Sequence, residues 1–141
     1  MASVRMAIAI AGVSLLLGRD AAAQGASPFV GQFSGTYTFS STDPRFGNQA
    51  GYIAMTITAE GRVSANVQNT TINLPSTVRG TVSDDGDFDC VAEASNQVYT
   101  LKGTMVKSKA GNLKATLTQY FGANQAIGSV QFDIPPYREK Q

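Results

Sequence analysis

The sequence predicts an all-β protein: an eight-stranded antiparallel up-and-down meander that closes into a small calycin-like barrel, after an N-terminal signal peptide. Two observations support this fold class. From Phe33 onwards, apolar and polar residues alternate in almost every segment, which is typical of strands with one buried face. In addition, Gly61, Gly86 and Gly111 recur at equal spacing, and each closes a short turn between two alternating segments.

The N-terminal residues are typical of a secretory signal peptide. Arg5 supplies a positive charge, and residues 6–18 form an apolar run of 13 residues. A helix needs about 20 residues to span a bilayer, so this run is too short for a membrane-spanning helix. Small residues at 21–23 predict cleavage before Gln24. We therefore expect residues 1–23 to be a signal peptide and the mature protein to be secreted or periplasmic.

The rest of the chain is expected to form a single domain. Residues 24–32 are predicted to be a flexible lead, residues 33–134 the β-barrel domain, and residues 135–141 a C-terminal tail. Eight alternating segments of the barrel domain are rich in the Thr, Val, Tyr and Ile that strands prefer. The predicted strands are residues 33–40, 50–58, 62–69, 77–83, 87–94, 98–108, 112–121 and 127–134.

The first predicted strand directs Phe33, Gly35, Tyr37 and Phe39 to one face, and it places Ser or Thr at the positions between them. Such alternation has the period of a strand, in which successive side chains point to opposite faces. The strand therefore has one apolar face and one polar face.

The second and third predicted strands form a hairpin around Gly61. A three-residue loop that ends at Gly61 in the left-handed conformation pairs Ile57 with Val63 on the apolar face. A two-residue turn would instead place Val63 opposite Thr58 and mix the two faces. We therefore predict the three-residue loop, which also pairs Met55 with Ala65 and Ile53 with Val67.

The same loop applies to the next two hairpins, around Gly86 and Gly111. The expected pairs are Val82–Phe88, Gly80–Cys90 and Val78–Ala92 in one hairpin, and Met105–Ala115, Gly103–Leu117 and Leu101–Gln119 in the other. Lys107 opposite Leu113 is the one poorly matched pair, and it lies at the strand end. The eighth strand then adds Val130, Phe132 and Ile134 to the apolar face.

Eight strands with one apolar face must close on themselves or pair with a second sheet. Closure removes the exposed edges of the sheet, which favours a barrel with its apolar face inside; a β-sandwich is the alternative. A barrel that spans an outer membrane has the opposite pattern, with an apolar outer face and aromatic girdles. Here the outer face carries Thr, Ser, Asn and charged residues, so a membrane-spanning barrel is not expected.

The pattern resembles, in architecture, the exported eight-stranded barrels of the avidin and lipocalin type. Both begin with a glycine-containing strand, as residues 33–37 (Phe-Ser-Gly-Thr-Tyr) do here, and both continue as a meander punctuated by glycines. Lipocalins carry Gly-x-Trp on that strand, and avidins line the biotin site with Trp. This sequence contains no Trp, so the resemblance implies the fold and neither ligand class.

Composition excludes several classes of function. The formal net charge is +1 and there is no basic run, which argues against a nucleic-acid partner. The chain has no His, the commonest general base and zinc ligand, and its single Cys90 is expected to be a buried small apolar residue. Asp85, Asp87 and Asp89 have the 1-3-5 spacing of a calcium loop, but Gly86 is at the second position of that frame instead of the sixth, and Asn96 stands at position twelve, where a bidentate Glu is needed. We predict turn chemistry there, with no metal and no cofactor.

Two groups of residues are candidates for function. Small inward residues in mid-strand, such as Gly80, permit strong coiling and also leave space for a cavity inside the barrel. The candidate cavity residues are Tyr37, Met55, Phe88, Tyr99, Leu101, Met105, Leu117 and Gln119. The longer connections of a meander gather at the end opposite the glycine turns, where loops commonly carry function. The candidate mouth residues are Arg45, Phe46, Asn48, Asn73, Asn96, Asn124 and Gln125.

These patterns leave three hypotheses of function. The first is an exported, non-enzymatic barrel that binds a small apolar molecule or a protein partner. The second is a structural or interaction protein of the cell envelope, or an inhibitor, that acts through loops such as residues 70–76. The third is a cofactor-free enzyme that uses inward polar groups such as Tyr37, Tyr99 or Gln119. The lack of His and of clustered inward carboxylates makes the third the weakest.

Overall fold

The computed structural model describes residues 25–122 and 124–138, and the predicted signal peptide with its cleavage site lies outside these residues. The described residues form eight β-strands and no helix, and neighbouring strands are antiparallel. They are β1 (Gly31–Ser41), β2 (Gln49–Ile57), β3 (Arg62–Asn69), β4 (Leu74–Val82), β5 (Asp87–Ala94), β6 (Gln97–Lys107), β7 (Leu113–Phe121) and β8 (Gln125–Ile134).

The sheet closes into a barrel whose strands follow one another in chain order. Closure is made by β1 and β8, which pair from Tyr37 opposite Phe132 to Ser41 opposite Gly128. The prediction of an eight-stranded up-and-down barrel is therefore confirmed, and the alternative of a β-sandwich is excluded. Within the two described ranges, no helix is present that could cross a membrane.

The three glycine hairpins have the predicted register. Ile57 lies opposite Val63, Val82 opposite Phe88, and Met105 opposite Ala115. Each turn glycine has a positive φ, with 84° at Gly61, 95° at Gly86 and 89° at Gly111. In each loop the N–H of the glycine donates to the carbonyl three residues earlier, at 2.9–3.0 Å. The three-residue loop is thus confirmed in all three hairpins.

Every strand end except the start of β4 lies within two residues of the prediction, and β1 begins at Gly31, inside the predicted lead. β4 begins at Leu74, three residues earlier than expected, because Leu74, Pro75 and Ser76 pair with the end of β3. Proline lacks a backbone donor, and for that reason the sequence pattern favours a loop at this point. In the structure Pro75 is exposed near the start of the strand, opposite Gln68, where a missing donor is tolerated.

β8 contains a bulge that the alternation does not predict. The register shifts between Gln119 and Tyr120 of β7, so that Gly128 pairs with Gln119 and Ala126 with Tyr120. Ile127 is the extra residue between these pairs, and the bulge turns it into the core, where it is 1% exposed. Simple alternation from Val130 would have placed Ile127 outside.

Inward glycines make room for neighbouring rings. A Cβ atom on Gly51 would lie 2.9 Å from a ring carbon of Tyr37, and one on Gly128 would lie 2.6 Å from a ring carbon of Phe39. Both distances are shorter than real Cβ contacts, and the added atoms would also collide with the carbonyl oxygens of Gln68 and Ser40, so a side chain at either glycine has no space beside the ring. The glycines thereby bring large aromatic side chains into the interior of a narrow barrel.

The glycine-turn end of the barrel is sealed by the chain termini. Phe29, which precedes β1, is 5% exposed and belongs to the core. The N–H of Ser27 donates to the carbonyl of Ala59 at 2.8 Å, so part of the predicted lead is held against a turn. After β8, Pro136 forms a bridge with Phe33, and the N–H of Tyr137 donates to the carbonyl of Gln32 at 2.8 Å. These contacts leave the opposite end as the open one.

Candidate functional site

The interior of the barrel contains a cavity at the long-loop end. Its volume is about 140 Å³, measured as the space that the centre of a water-sized sphere can occupy. The walls are mainly apolar side chains from all eight strands, and the cavity reaches down to Met55, Phe88 and Leu117. Below that level lie Ile57, Met105 and Leu113, which are fully or almost fully buried.

The structure places seven of the eight candidate cavity residues in the cavity wall. They are Tyr37, Met55, Phe88, Tyr99, Leu101, Leu117 and Gln119. Met105 differs, because it is 0% exposed and lies in the core at the sealed end, where its N–H donates to the carbonyl of Gly86. A register pattern shows which face a residue occupies but not its height in the barrel, so Met105 could not be separated from the others by sequence.

The seven candidate mouth residues all lie at the long-loop end, but only Phe46 lines the cavity. Asn48 and Asn73 have structural roles: the N–H of Ser41 donates to Asn48 Oδ1 at 3.0 Å, and Gln68 Nε2 donates to Asn73 Oδ1 at 3.2 Å. Asn96 and Asn124 are exposed in the β5–β6 and β7–β8 connections, and Gln125 is exposed as the first residue of β8.

Arg45 lies next to the mouth as one half of an ion pair. Its guanidinium donates to both carboxylate oxygens of Asp43, with the shortest contact at 2.6 Å, and it lies 5.5 Å from the ring centroid of Phe46. These hydrogen bonds lower the pKa of Asp43 to about 2, so the carboxylate stays ionised at neutral pH. The two charges therefore cancel at this side of the mouth.

Two amide side chains that the sequence pattern missed line the mouth as a connected pair. Asn69 Nδ2 donates to Gln49 Oε1 at 2.6 Å, and Gln49 Nε2 donates to the carbonyl of Phe46 at 2.7 Å. Asn69 Oδ1 also accepts from the N–H groups of Thr71 and Ile72, which shapes the β3–β4 loop. This pair fixes the first and second long loops against each other.

The signal for Asn69 was present in the sequence as Asn-Thr-Thr, which also fits a glycosylation acceptor. In the structure its side-chain nitrogen donates one N–H to Gln49, so a glycan on Asn69 would take the place of the other N–H. No sequence pattern distinguishes Gln49, because it stands alone at the start of β2. Ile127, which also lines the cavity, could not be predicted as an inward residue, because the β-bulge turns its side chain from the outer face to the interior.

Several polar groups of the cavity wall, among them the Tyr37 hydroxyl and the Gln119 side chain, have no hydrogen-bonding partner among the described residues. Among the hydrogen bonds of residues 25–122 and 124–138, none involves the Tyr37 hydroxyl or the Gln119 side chain. Burial raises the pKa of Tyr37, so its hydroxyl remains protonated at neutral pH. Both side chains are therefore available to donate a hydrogen bond to a molecule inside the barrel.

The acidic turn and Cys90 lie away from the cavity. Within the part of the chain that the structure describes, no three carboxylate, thiol or imidazole groups come together as a metal site. Gly86 closes the hairpin between Asp85 and Asp87, and both aspartates are exposed. Cys90 is 1% exposed, and burial raises the pKa of its thiol to about 12. Neither feature supplies a reactive group to the interior.

The cavity therefore combines apolar walls with a few uncharged polar groups. Among the described residues of its wall, none carries a carboxylate, amine or imidazole group. In comparisons with known proteins, no family model and no curated protein matches this chain.

Proposed function

We propose that this chain is an exported, non-enzymatic β-barrel protein that binds a small apolar ligand in the long-loop end of the barrel. The observation that carries the proposal is the asymmetry of the interior. One end is filled by core side chains and covered by the termini, whereas the other holds a cavity of about 140 Å³ with mainly apolar walls. Export is supported by the apolar run at residues 6–18 and the small residues at 21–23.

The size of the cavity supports a small ligand. Pockets for drug-sized molecules usually measure about 300–1,000 Å³, while an engineered apolar cavity of about 150 Å³ takes up benzene. The present cavity is at the lower end of this scale. The cavity also lies inside a rigid scaffold, since each of the eight strands is hydrogen-bonded to a neighbouring strand on both sides. A preformed cavity needs little ordering when the ligand binds.

The proposal is tested by filling the cavity. Ala92 lies on β5 in the cavity wall, and Val91 beside it points to the outside and is 40% exposed. Ala92→Phe should place a ring in the cavity and weaken binding of the neutral probe 1-octanol at least tenfold. Val91→Phe adds the same ring to the outer face and should leave the affinity unchanged. Binding is measured by isothermal titration calorimetry.

A misfolded Ala92→Phe protein is recognised by circular dichroism, and Ala94→Phe then takes its place. Ala94 lines the cavity nearer the mouth, where a larger side chain is accommodated more easily. Wild-type protein that gives no saturable heat with any of 1-octanol, octanoate, octylammonium and 1-adamantanol would overturn the proposal. The same conclusion would follow if the folded Ala92→Phe or Ala94→Phe protein bound 1-octanol as tightly as the wild type does.

A further inference from the structure

We propose that the cavity selects an uncharged amphiphile with one unbranched apolar chain, whose chain fills the barrel and whose polar end lies among the amides at the mouth. This inference rests on the proposed function and specifies the class of ligand. Three properties of the site lead to it: the charge of the wall, the charge of the rim, and the relation between the depth of the cavity and its volume.

The first property is that no charged side chain of the described residues lines the cavity. An ionised group that leaves water for an apolar site loses its hydration, and the loss is large unless a charge of opposite sign compensates it. Tyr37 and Gln119 can offer hydrogen bonds but no charge. A carboxylate or an ammonium ion inside the cavity would therefore lack a counter-ion, whereas a neutral group would not need one.

The second property is that the rim is neutral as well. The long connections in the described ranges, residues 42–48, 70–73, 95–96, 122 and 124, contain only two charged residues, Asp43 and Arg45. These two are bound to each other at 2.6 Å, so neither is left to attract an ionic ligand. The other residues of these ranges are Asn, Ser, Thr, Gly, Pro and the apolar Phe46 and Ile72. Electrostatic steering of an ion towards the mouth has no source there.

The third property is the shape of the cavity. On β2 its wall extends from Gln49 to Met55, which corresponds to about 20 Å along the strand at 3.3 Å per residue. With the strand tilt usual in barrels, the depth is about 15 Å. A volume of about 140 Å³ spread over such a depth leaves a narrow channel. An alkyl chain fits a channel of this kind better than a wide ring system does.

The amides at the mouth suit a neutral polar end. Gln49 Nε2 and Asn69 Nδ2 each use one N–H in the bonds described above, and each primary amide has a second N–H. The oxygens of both side chains already accept hydrogen bonds. The pair therefore mainly offers donors, which an alcohol, ester or amide oxygen of the ligand can accept.

The test compares four probes at pH 7.5 by isothermal titration calorimetry with the purified protein: 1-octanol, octanoate, octylammonium and 1-adamantanol. We expect 1-octanol to bind at least tenfold more tightly than each of the other three. Octanoate or octylammonium of equal affinity would overturn the selection for neutral ligands, and 1-adamantanol of equal affinity would overturn the narrow channel. Both results would leave the proposed function intact. Only the absence of binding by all four probes would remove the proposed function itself.

A charge placed in the wall provides a second test. Gln119→Glu should raise the affinity for octylammonium and lower that for 1-octanol, since the carboxylate supplies the missing counter-ion. Gln131→Glu makes the same chemical change on the exposed outer face of β8 and should alter neither affinity. If the folded Gln119→Glu protein bound both probes as the wild type does, the neutral wall would not be the source of selectivity, and the inference would be wrong.

Discussion

Cys90 illustrates, at the scale of single residues, how an inward position controls the chemistry of a side chain. It faces the interior opposite Gly80 on β4 and Leu101 on β6, and only 1% of it is exposed. In exposed positions a thiol is a nucleophile through its ionised form, which water stabilises. Inside this barrel the thiol is neutral and packs as a small apolar group.

Cys90→Ala should leave the fold intact and lower the free energy of unfolding by less than about 2 kcal/mol, because the substitution removes one buried sulfur atom. Urea denaturation of the two proteins measures the difference. In the native wild type, a thiol reagent should react with Cys90 far more slowly than in urea. Rapid labelling under native conditions would contradict the burial of this residue.

Cys90 should also make stability depend on alkaline pH. Burial raises the pKa of its thiol from the ordinary value of 9.0 to about 12. Between these two values the unfolded chain loses the proton and the folded chain keeps it, so stability falls as the pH rises. The slope from one such group is at most about 1.4 kcal/mol per pH unit. The unfolding free energy of the wild type should therefore fall more steeply from pH 9 than that of Cys90→Ala, and parallel curves would contradict this expectation.

At the scale of elements, the three glycine turns share a conformation but differ in what surrounds them. The carbonyl of Gly61 accepts from the N–H of Val82 at 2.9 Å, and the carbonyl of Gly86 accepts from Met105 at 2.8 Å. Each of these turns is therefore joined to the following hairpin. Gly111 lies beside the tail instead, where Pro136 is its nearest neighbour.

This difference predicts an order of stability among three equivalent substitutions. Alanine in the left-handed conformation costs about 1–2 kcal/mol through its own backbone. For Gly111→Ala we expect a loss of that size, since the nearest atom to its Cβ is 3.6 Å away. Gly61→Ala and Gly86→Ala should cost more, because their Cβ atoms would also collide with the carbonyl oxygens of Val82 and Met105. Urea denaturation provides the three values.

Gly25→Ala is the matched control for this series, because no atom lies within 4 Å of the added methyl group and the backbone is not left-handed there. Its stability should equal that of the wild type. Equal losses for Gly61, Gly86 and Gly111 would show that backbone conformation alone determines the cost, and that the links between hairpins contribute nothing measurable.

The sequence pattern predicts the register of the hairpins but not every irregularity of the strands. The register of three hairpins follows from alternation and the turn glycines, because a shift by one residue would turn every apolar side chain outwards. The start of β4 and the bulge at Ile127 do not follow from it. Pro75 is tolerated because of its exposed position near the strand end, and Ile127 is buried because the register with β7 changes beside it.

At the scale of the whole molecule, strong coiling of the strands lets eight of them close around a small core. Gly80 is one of the inward positions that permits it, since a Cβ atom there would lie 2.6 Å from the Cα of Cys90 and 2.7 Å from its sulfur. Small residues at such positions allow neighbouring strands to curve towards each other. Gly80 does not line the cavity, so its role is in closure.

Gly80→Leu should therefore prevent folding, because a large side chain has no space between β4 and β5. Circular dichroism and gel filtration of the purified variant measure the effect. Gly25→Leu, which lies outside the barrel wall, should fold as the wild type does. A folded Gly80→Leu protein with native stability would mean that the space beside Gly80 extends into a cavity and that coiling does not depend on it.

The sequence by itself determined the class of fold, the strand faces and the hairpin registers, because these depend on alternation and on turns between residues close in the chain. It also placed part of the cavity wall, since Tyr37, Leu101 and Leu117 occupy inward positions. Only the tertiary structure decided that Met105 belongs to the sealed end, that Phe29 covers that end, and that Gln49 and Asn69 meet at the mouth. These features depend on contacts between residues distant in the chain, and their positions are set only when β1 and β8 close the barrel.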